Sequence, residues 1–219
     1  MTVFYEFFRL FGLITGYPFQ LLFFKRRTFY EDKKNTHLFR GGKLIISNHF
    51  NFVDYLVTTF IVFPRKLIGV CAEFAFKVPI LRVGMKFFGA IEANRITRNM
   101  KFMDEAAEQI KKGHLVQIFP EARNTPDGKI HEFKHSYIVI AHRANCPIVP
   151  IVTDGNYGLF KRTSVMIGKE IDVSQFITSD KRTPTREELD RANEYIYNKV
   201  LELREELEIR KNQKRRGRK

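Results

Sequence analysis

His49 and Asp54 stand five positions apart in "SNHFNFVD", directly after the apolar run "KLII". A carboxylate held on one imidazole nitrogen fixes the tautomer and supports the imidazolium, which leaves the other nitrogen free to take a proton from a hydroxyl. That chemistry requires the two side chains to meet. If Asn51 caps a following helix, Asp54 falls in its first turn, where a carboxylate is favoured and can turn back toward the loop holding His49. Taken alone, the spacing is a weak signal that more often marks a helix start.

Three more stretches carry residues of matching chemistry. "IFPEARNTPDG" places Glu121 and Arg123 on the loop leaving an apolar strand, the edge where α/β sheets bind ligands. "GAIEANR" delivers Arg95 just past another strand, and "CPIVPI" closes a further one between Pro147 and Pro150. A guanidinium presents a planar fork of donors suited to phosphate, although either arginine taken alone reads first as a surface ion pair. "HEFKH", His131 to His135, satisfies the pattern in which two histidines one helical turn apart hold zinc. Its setting argues against that use, because Asp127 and Gly128 make a turn just upstream and leave little helix before His131. Cys71 and Cys146 form neither a CxxC nor a metal spacing and read as reduced, packed thiols.

The elements that must position these residues follow from periodicity. The runs "KLII", "KLIGVCA", "GAIEA", "HLVQIF", "PIVPIV" and "SVMIG" alternate with helix-type stretches. This predicts an α/β fold with a mixed, largely parallel sheet flanked by helices. Helices are expected after Asp54, over about Asn99 to Lys112, over about Phe133 to Arg143, and after Thr185, which has capping-box spacing with Glu188. Three regions result: a membrane-interface helical segment and basic hinge over 1–34, one domain over 35–209, and a basic disordered tail over 210–219.

A net charge of +14 calls for an anionic partner, and the 22 Phe suggest which one. Many crowd into "FYEFFRLFGLITGYPFQLLFFKRR". Its longest uncharged run, Leu10 to Phe24, is shorter than the roughly 20 apolar residues of a spanning helix and contains Gly12, Gly16 and Pro18. The segment is therefore expected to lie in a membrane interface, with Lys25, Arg26, Arg27, Lys33 and Lys34 at anionic headgroups. Glu6 in place of a basic cluster, with no small-residue cleavage site downstream, argues against a secretory signal. The expected location is the cytoplasmic face of the cell membrane, peripheral or monotopic.

In order and spacing, "NHFNFVD", "GAIEANR", "IFPEARNTPDG" and "CPIVPI" resemble the four motifs of the glycerophospholipid acyltransferases, whose best-known members act on lysophosphatidic acid. The resemblance runs from about Lys43 to Glu170 and includes "FKHSYIVIA". It implies that His49 is a general base activating an acceptor hydroxyl, that Asp54 is its partner, and that Asn48, Arg95, Glu121 and Arg123 bind substrate. It implies acyl transfer from acyl-CoA or acyl carrier protein to the free hydroxyl of 1-acylglycerol-3-phosphate, with no cofactor, metal or covalent intermediate. The implied partners are anionic membrane lipids, a lysophospholipid acceptor and the acyl donor, with no nucleic acid. The chain departs from the family at the third motif, where Ala122 stands in place of the usual Gly and Arg123 follows at once. That leaves open another lysophospholipid acceptor. A non-catalytic basic protein binding membranes or nucleic acid remains the alternative from a different class.

Overall fold

A computed structural model describes residues 2–33, 38–93, 100–125, 127–159, 161–179 and 181–216. Seven strands form one sheet: β1 (Arg27–Tyr30), β2 (Lys43–Ser47), β3 (Leu67–Ala72), β4 (Ile91–Ala93), β5 (Leu115–Ile118), β6 (Ile148–Thr153) and β7 (Ser164–Ile167). The order is β1-β7-β6-β2-β5-β3-β4, and every neighbouring pair is parallel except β6 and β7. The α/β class and the largely parallel sheet are thus as the sequence indicates.

Strands β2, β5 and β6 are buried at every position, which is why they read as unbroken apolar runs rather than alternating ones. Side chains still alternate between faces. Leu44, Ile46, Val116 and Ile118 join one core cluster with the inward faces of α5 (Lys101–Lys111), α6 (Ser136–Ala144) and α7 (Arg186–Arg216). Ile45, Leu115, Val149 and Ile151 join another with Val57 and Val62 of α2 (Val53–Val62). Because β2, β5 and β6 run parallel, their C-terminal ends deliver the loops starting at Asn48, Phe119 and Asp154 to one edge of the sheet.

Several boundaries differ from expectation. The stretch taken as a basic hinge contains β1, held at the sheet edge by Arg27 N–H to Thr163 O at 2.8 Å and Thr163 N–H to Phe24 O at 2.8 Å. Thr28, Phe29 and Tyr30 are good strand formers, and the flanking charges concealed them. The stretch 210–216, expected as disordered tail, continues α7 to Arg216. Arg210 pairs with Glu206 and donates to Tyr30 O at 2.8 Å, while Lys211 reaches Glu208 and Asp154, each at 3.1 Å. Acid-to-base pairs at helical spacing, with cations near the C-terminus, carry the helix on. Helix α6 starts at Ser136 rather than Phe133, and α3 (Glu73–Lys77) and α4 (Pro79–Phe88) lie where no helix was anticipated.

The N-terminal segment is one helix, α1 (Thr2–Phe24), 23 residues long and running through Gly12, Gly16 and Pro18. Its burial is inverted. Arg9 and Gln20 are buried with Leu13, whereas Phe4, Phe7, Phe11, Ile14 and Phe19 are exposed. Over Glu6–Phe24 it is long and apolar enough to cross a membrane.

Candidate active site

The loop leaving β2 and the first turn of α2 bring the His49–Asp54 pair together, with Nδ1 of His49 3.1 Å from Oδ2 of Asp54. The N-cap of α2 is Phe52, which makes no side-chain cap bond, rather than Asn51, whose side chain closes a turn just upstream. Asn51 accepts from the Val53 N–H through Oδ1 at 2.8 Å, and its own N–H donates to Asp54 Oδ2 at 2.8 Å. With Asp54 ionised its oxygens can only accept, so Nδ1 is the donor, and in the neutral imidazole Nε2 then keeps its lone pair. The imidazole stacks on the Phe119 ring with centroids 3.8 Å apart at 15°, which fixes its plane.

The main chain of His49 is pinned from both sides by the loop after β5. Its N–H donates to Glu121 Oε1 at 3.2 Å, and its carbonyl accepts from the Thr125 N–H at 2.7 Å and the Thr125 hydroxyl at 3.0 Å. Glu121 Oε2 accepts from the His131 N–H at 2.8 Å, so the carboxylate ties two chain segments together. Burial pushes the Glu121 carboxyl above its ordinary range, opposed by those two amide donors. Asn48 is 2% exposed and faces β6, giving to Thr153 O at 3.1 Å and accepting from the Thr153 N–H at 2.9 Å. It extends the pairing of β2 and β6 by one side-chain rung.

Beside the pair lies a cleft of about 940 Å³. Val70, Ala72, Met100, Phe102 and Ile118 supply apolar wall, and Arg123, His131 and Lys134 supply basic groups. Phe119 and Glu121, which hold His49, are part of the same wall. Arg123 is exposed at the cleft, and Arg95 lies outside the described residues. Ala122 sits at φ +54°, in the left-handed region that a glycine occupies without penalty.

Reading the sequence missed Tyr157. Its hydroxyl donates to Asp54 Oδ1 from the β6–β7 connection, and it lies 3.1 Å from the Thr153 hydroxyl. The available signal was "DGNYG", whose Gly155 and Gly158 take φ of +67° and +136°; a Cβ at Gly155 would meet the Phe50 ring at 2.8 Å. The "HEFKH" stretch lies before α6 rather than on it. His131 faces Asp127 at 2.9 Å and His135 faces Asp190 at 3.1 Å, so the two rings are committed to different acids. Among the described residues no three metal-ligating side chains cluster. Burial pushes the Cys71 thiol up to about 11 and the Cys146 thiol up to about 12, as packed, protonated thiols require.

A family model described as Acyltransferase matches residues 27–154, more than half of the chain. The chain belongs to the acyltransferase family. The match includes His49, Asp54, Glu121 and Arg123 and ends three residues before Tyr157. Among curated proteins, this acyltransferase is similar to the chloroplastic 1-acyl-sn-glycerol-3-phosphate acyltransferase BAT2 of Brassica napus, 25% identical over 166 residues, or 65% of this chain and 48% of that one. It is 30% identical over 115 residues, 51% of this chain and 40% of the other, to a putative 1-acyl-sn-glycerol-3-phosphate acyltransferase, acl-2, of Caenorhabditis elegans. The chain thus spans about half or less of the length of these relatives. Its fold is similar to the crystal structure of the 1-acyl-sn-glycerophosphate acyltransferase PlsC of Thermotoga maritima, at a TM-score of 0.61 and 21% identity over 90% of this chain and 81% of that one.

Proposed function

We propose that this chain is a membrane-associated enzyme that transfers a fatty acyl group from acyl-CoA or acyl carrier protein to the free hydroxyl of 1-acylglycerol-3-phosphate. The observation that carries the reading is the His49–Asp54 pair, oriented with Nε2 free, beside a cleft with apolar wall and basic groups. A lysophospholipid has that same division into chain and anion. The names of the curated relatives support the same acceptor.

In this reading Nε2 of His49 takes the acceptor hydroxyl's proton as its oxygen attacks the thioester carbonyl. Asp54 supports the imidazolium through Nδ1–H while the tetrahedral intermediate forms. Collapse breaks the carbon–sulfur bond, the proton passes to the departing thiolate, and His49 returns neutral. Arg123 and Lys134, with Arg95, hold the acceptor phosphate. Asn48 and Glu121 act by fixing the His49 loop. The exposed aromatic face of α1 sits in the bilayer, with exposed Lys25, and half-buried Arg26 and Arg27 behind it, toward anionic headgroups on the cytoplasmic face.

The test is transfer of a radiolabelled acyl group to lysophosphatidate and to other lysophospholipids, offering both donor types. Preference for lysophosphatidate supports the reading. Preference for a different headgroup assigns the altered third motif, with Ala122 and Arg123, to another acceptor.

A further inference from the structure

We infer that Tyr157 is a positioning residue for the acyl-transfer chemistry, completing a hydrogen-bonded relay Thr153–Tyr157–Asp54–His49 that sets the proton affinity of the catalytic pair. This rests on the acyltransferase reading above, and nothing in the family match reaches it, since the match ends at Asp154.

The direction of every hydrogen bond in the relay follows from one acceptor. Asp54 is 2% exposed, and its carboxylate has no proton to give. Oδ2 receives the Asn51 N–H at 2.8 Å and faces His49 Nδ1 at 3.1 Å, while Oδ1 receives the Tyr157 hydroxyl. With its own proton committed to Asp54, Tyr157 must accept at 3.1 Å from the Thr153 hydroxyl, which in turn accepts from the Gly155 N–H at 3.3 Å. Burial, and then Asp54 beside it, holds the phenol far above its ordinary range, so it remains a donor at any working pH. The relay is anchored at its Thr153 end. Asn48 fixes the Thr153 main chain with two hydrogen bonds, and Arg204 of α7 donates to Thr153 O at 2.9 Å. The Tyr157 ring also meets Phe24, the last residue of α1, edge-on at 6.0 Å, so the relay touches the membrane-facing helix.

A donor on Oδ1 withdraws charge from the carboxylate. Removing it leaves a buried carboxylate under-compensated, so the pair binds its first proton more tightly, whether that proton is counted on Asp54 or on His49. The pair therefore protonates at higher pH without Tyr157. Among the described residues, the other charged groups facing this cluster are Glu121 beside His49, Asp154 beside Tyr157, Lys211 paired with Asp154 at 3.1 Å, and Arg204 at Thr153. None of these changes in a Tyr157→Phe variant, which isolates the hydroxyl.

The experiment uses the full chain in detergent micelles and has two readouts. The first, free of substrate, is the pH midpoint of the His49 ring resonances by NMR, identified by their loss in His49→Ala. Tyr157→Phe should raise that midpoint by roughly half a pH unit or more. The second is the pH profile of transfer. Its acid limb should move up by the same amount, with kcat down roughly tenfold and the acceptor KM unchanged within about twofold. A variant with a lowered Tm but an unchanged midpoint and kcat would show that the phenol only packs, and the inference falls. If Tyr157→Phe does not fold, Thr153→Val, which removes the hydroxyl donating to Tyr157, carries the same test through a smaller upward shift; no shift there overturns the relay. A shifted midpoint in a protein with no transfer activity would sustain the relay and sink the acyltransferase reading. Intact transfer with an unmoved midpoint would do the reverse.

Discussion

Asp54 has only acceptor oxygens and almost no contact with solvent, so its partners must all be donors, and each of them constrains a neighbour. Asp54→Asn would set an amide where three donors converge and would leave the imidazolium without its counter-charge. We expect kcat to fall by roughly 10³ or more, with little change in acceptor KM, measured on purified, folded variant. His49→Ala should abolish transfer while leaving the circular dichroism spectrum and melting cooperativity intact, because the side chain is partly exposed and belongs to neither core cluster. Ala122 presents the opposite case, a residue in a conformation that suits glycine. Ala122→Gly should raise stability by about 1 kcal/mol if relief of the left-handed backbone outweighs the extra freedom gained by the unfolded chain. Denaturant unfolding measures that balance, and a loss of stability would mean that the Ala122 methyl packs well enough to offset its own strain.

At the scale of elements, the strands most legible in the sequence were those buried on both faces, because a parallel sheet covered by helices leaves an unbroken apolar run. The stripe Met103, Ala106, Ala107 and Ile110 likewise marked α5, and Asn51 with Asp54 marked the start of α2. What remained illegible depends on distant partners. Strand β1 is defined by β7, 137 positions further along at the Arg27–Ser164 pair, and its own charges suggest a linker. Tyr157 meets Asp54 across 103 positions through a glycine-bearing turn, and no local period announces that contact. Helix α7 starts as its capping box predicts: Glu188 receives the Thr185, Thr178 and Ser179 N–H groups, and the first two hold its carboxyl well below the ordinary value of 4.5. A depressed carboxylate lends stability that is present above the unfolded value and fades as pH falls below it. Thermal melts from pH 6 down to pH 3 should therefore show wild type losing its advantage over Glu188→Gln as the solution is acidified. Parallel curves would mean that Glu188 contributes through shape alone.

On the whole-molecule scale, the proposed membrane association draws on two features, the net charge of +14 and the outward-facing phenylalanines of α1. Because Leu13, Arg9 and Gln20 are buried in the body of the protein, deleting the helix would damage the fold. Replacing exposed Phe7, Phe11 and Phe19 with Ser spares those contacts. The triple variant should lose at least roughly tenfold in binding to phosphatidylglycerol-containing vesicles while its Tm stays within a few degrees of wild type. Unchanged sedimentation with vesicles would make α1 an ordinary surface helix. The account as a whole stands on acyl transfer by the His49–Asp54 pair. Its most direct test is the initial rate of phosphatidic acid formation from lysophosphatidate and acyl-CoA or acyl carrier protein by purified wild-type protein and His49→Ala. The account predicts turnover by wild type with at least one donor and none above background by the variant. Equal rates from the two proteins, or no acylated product from wild type with any lysophospholipid, would contradict it.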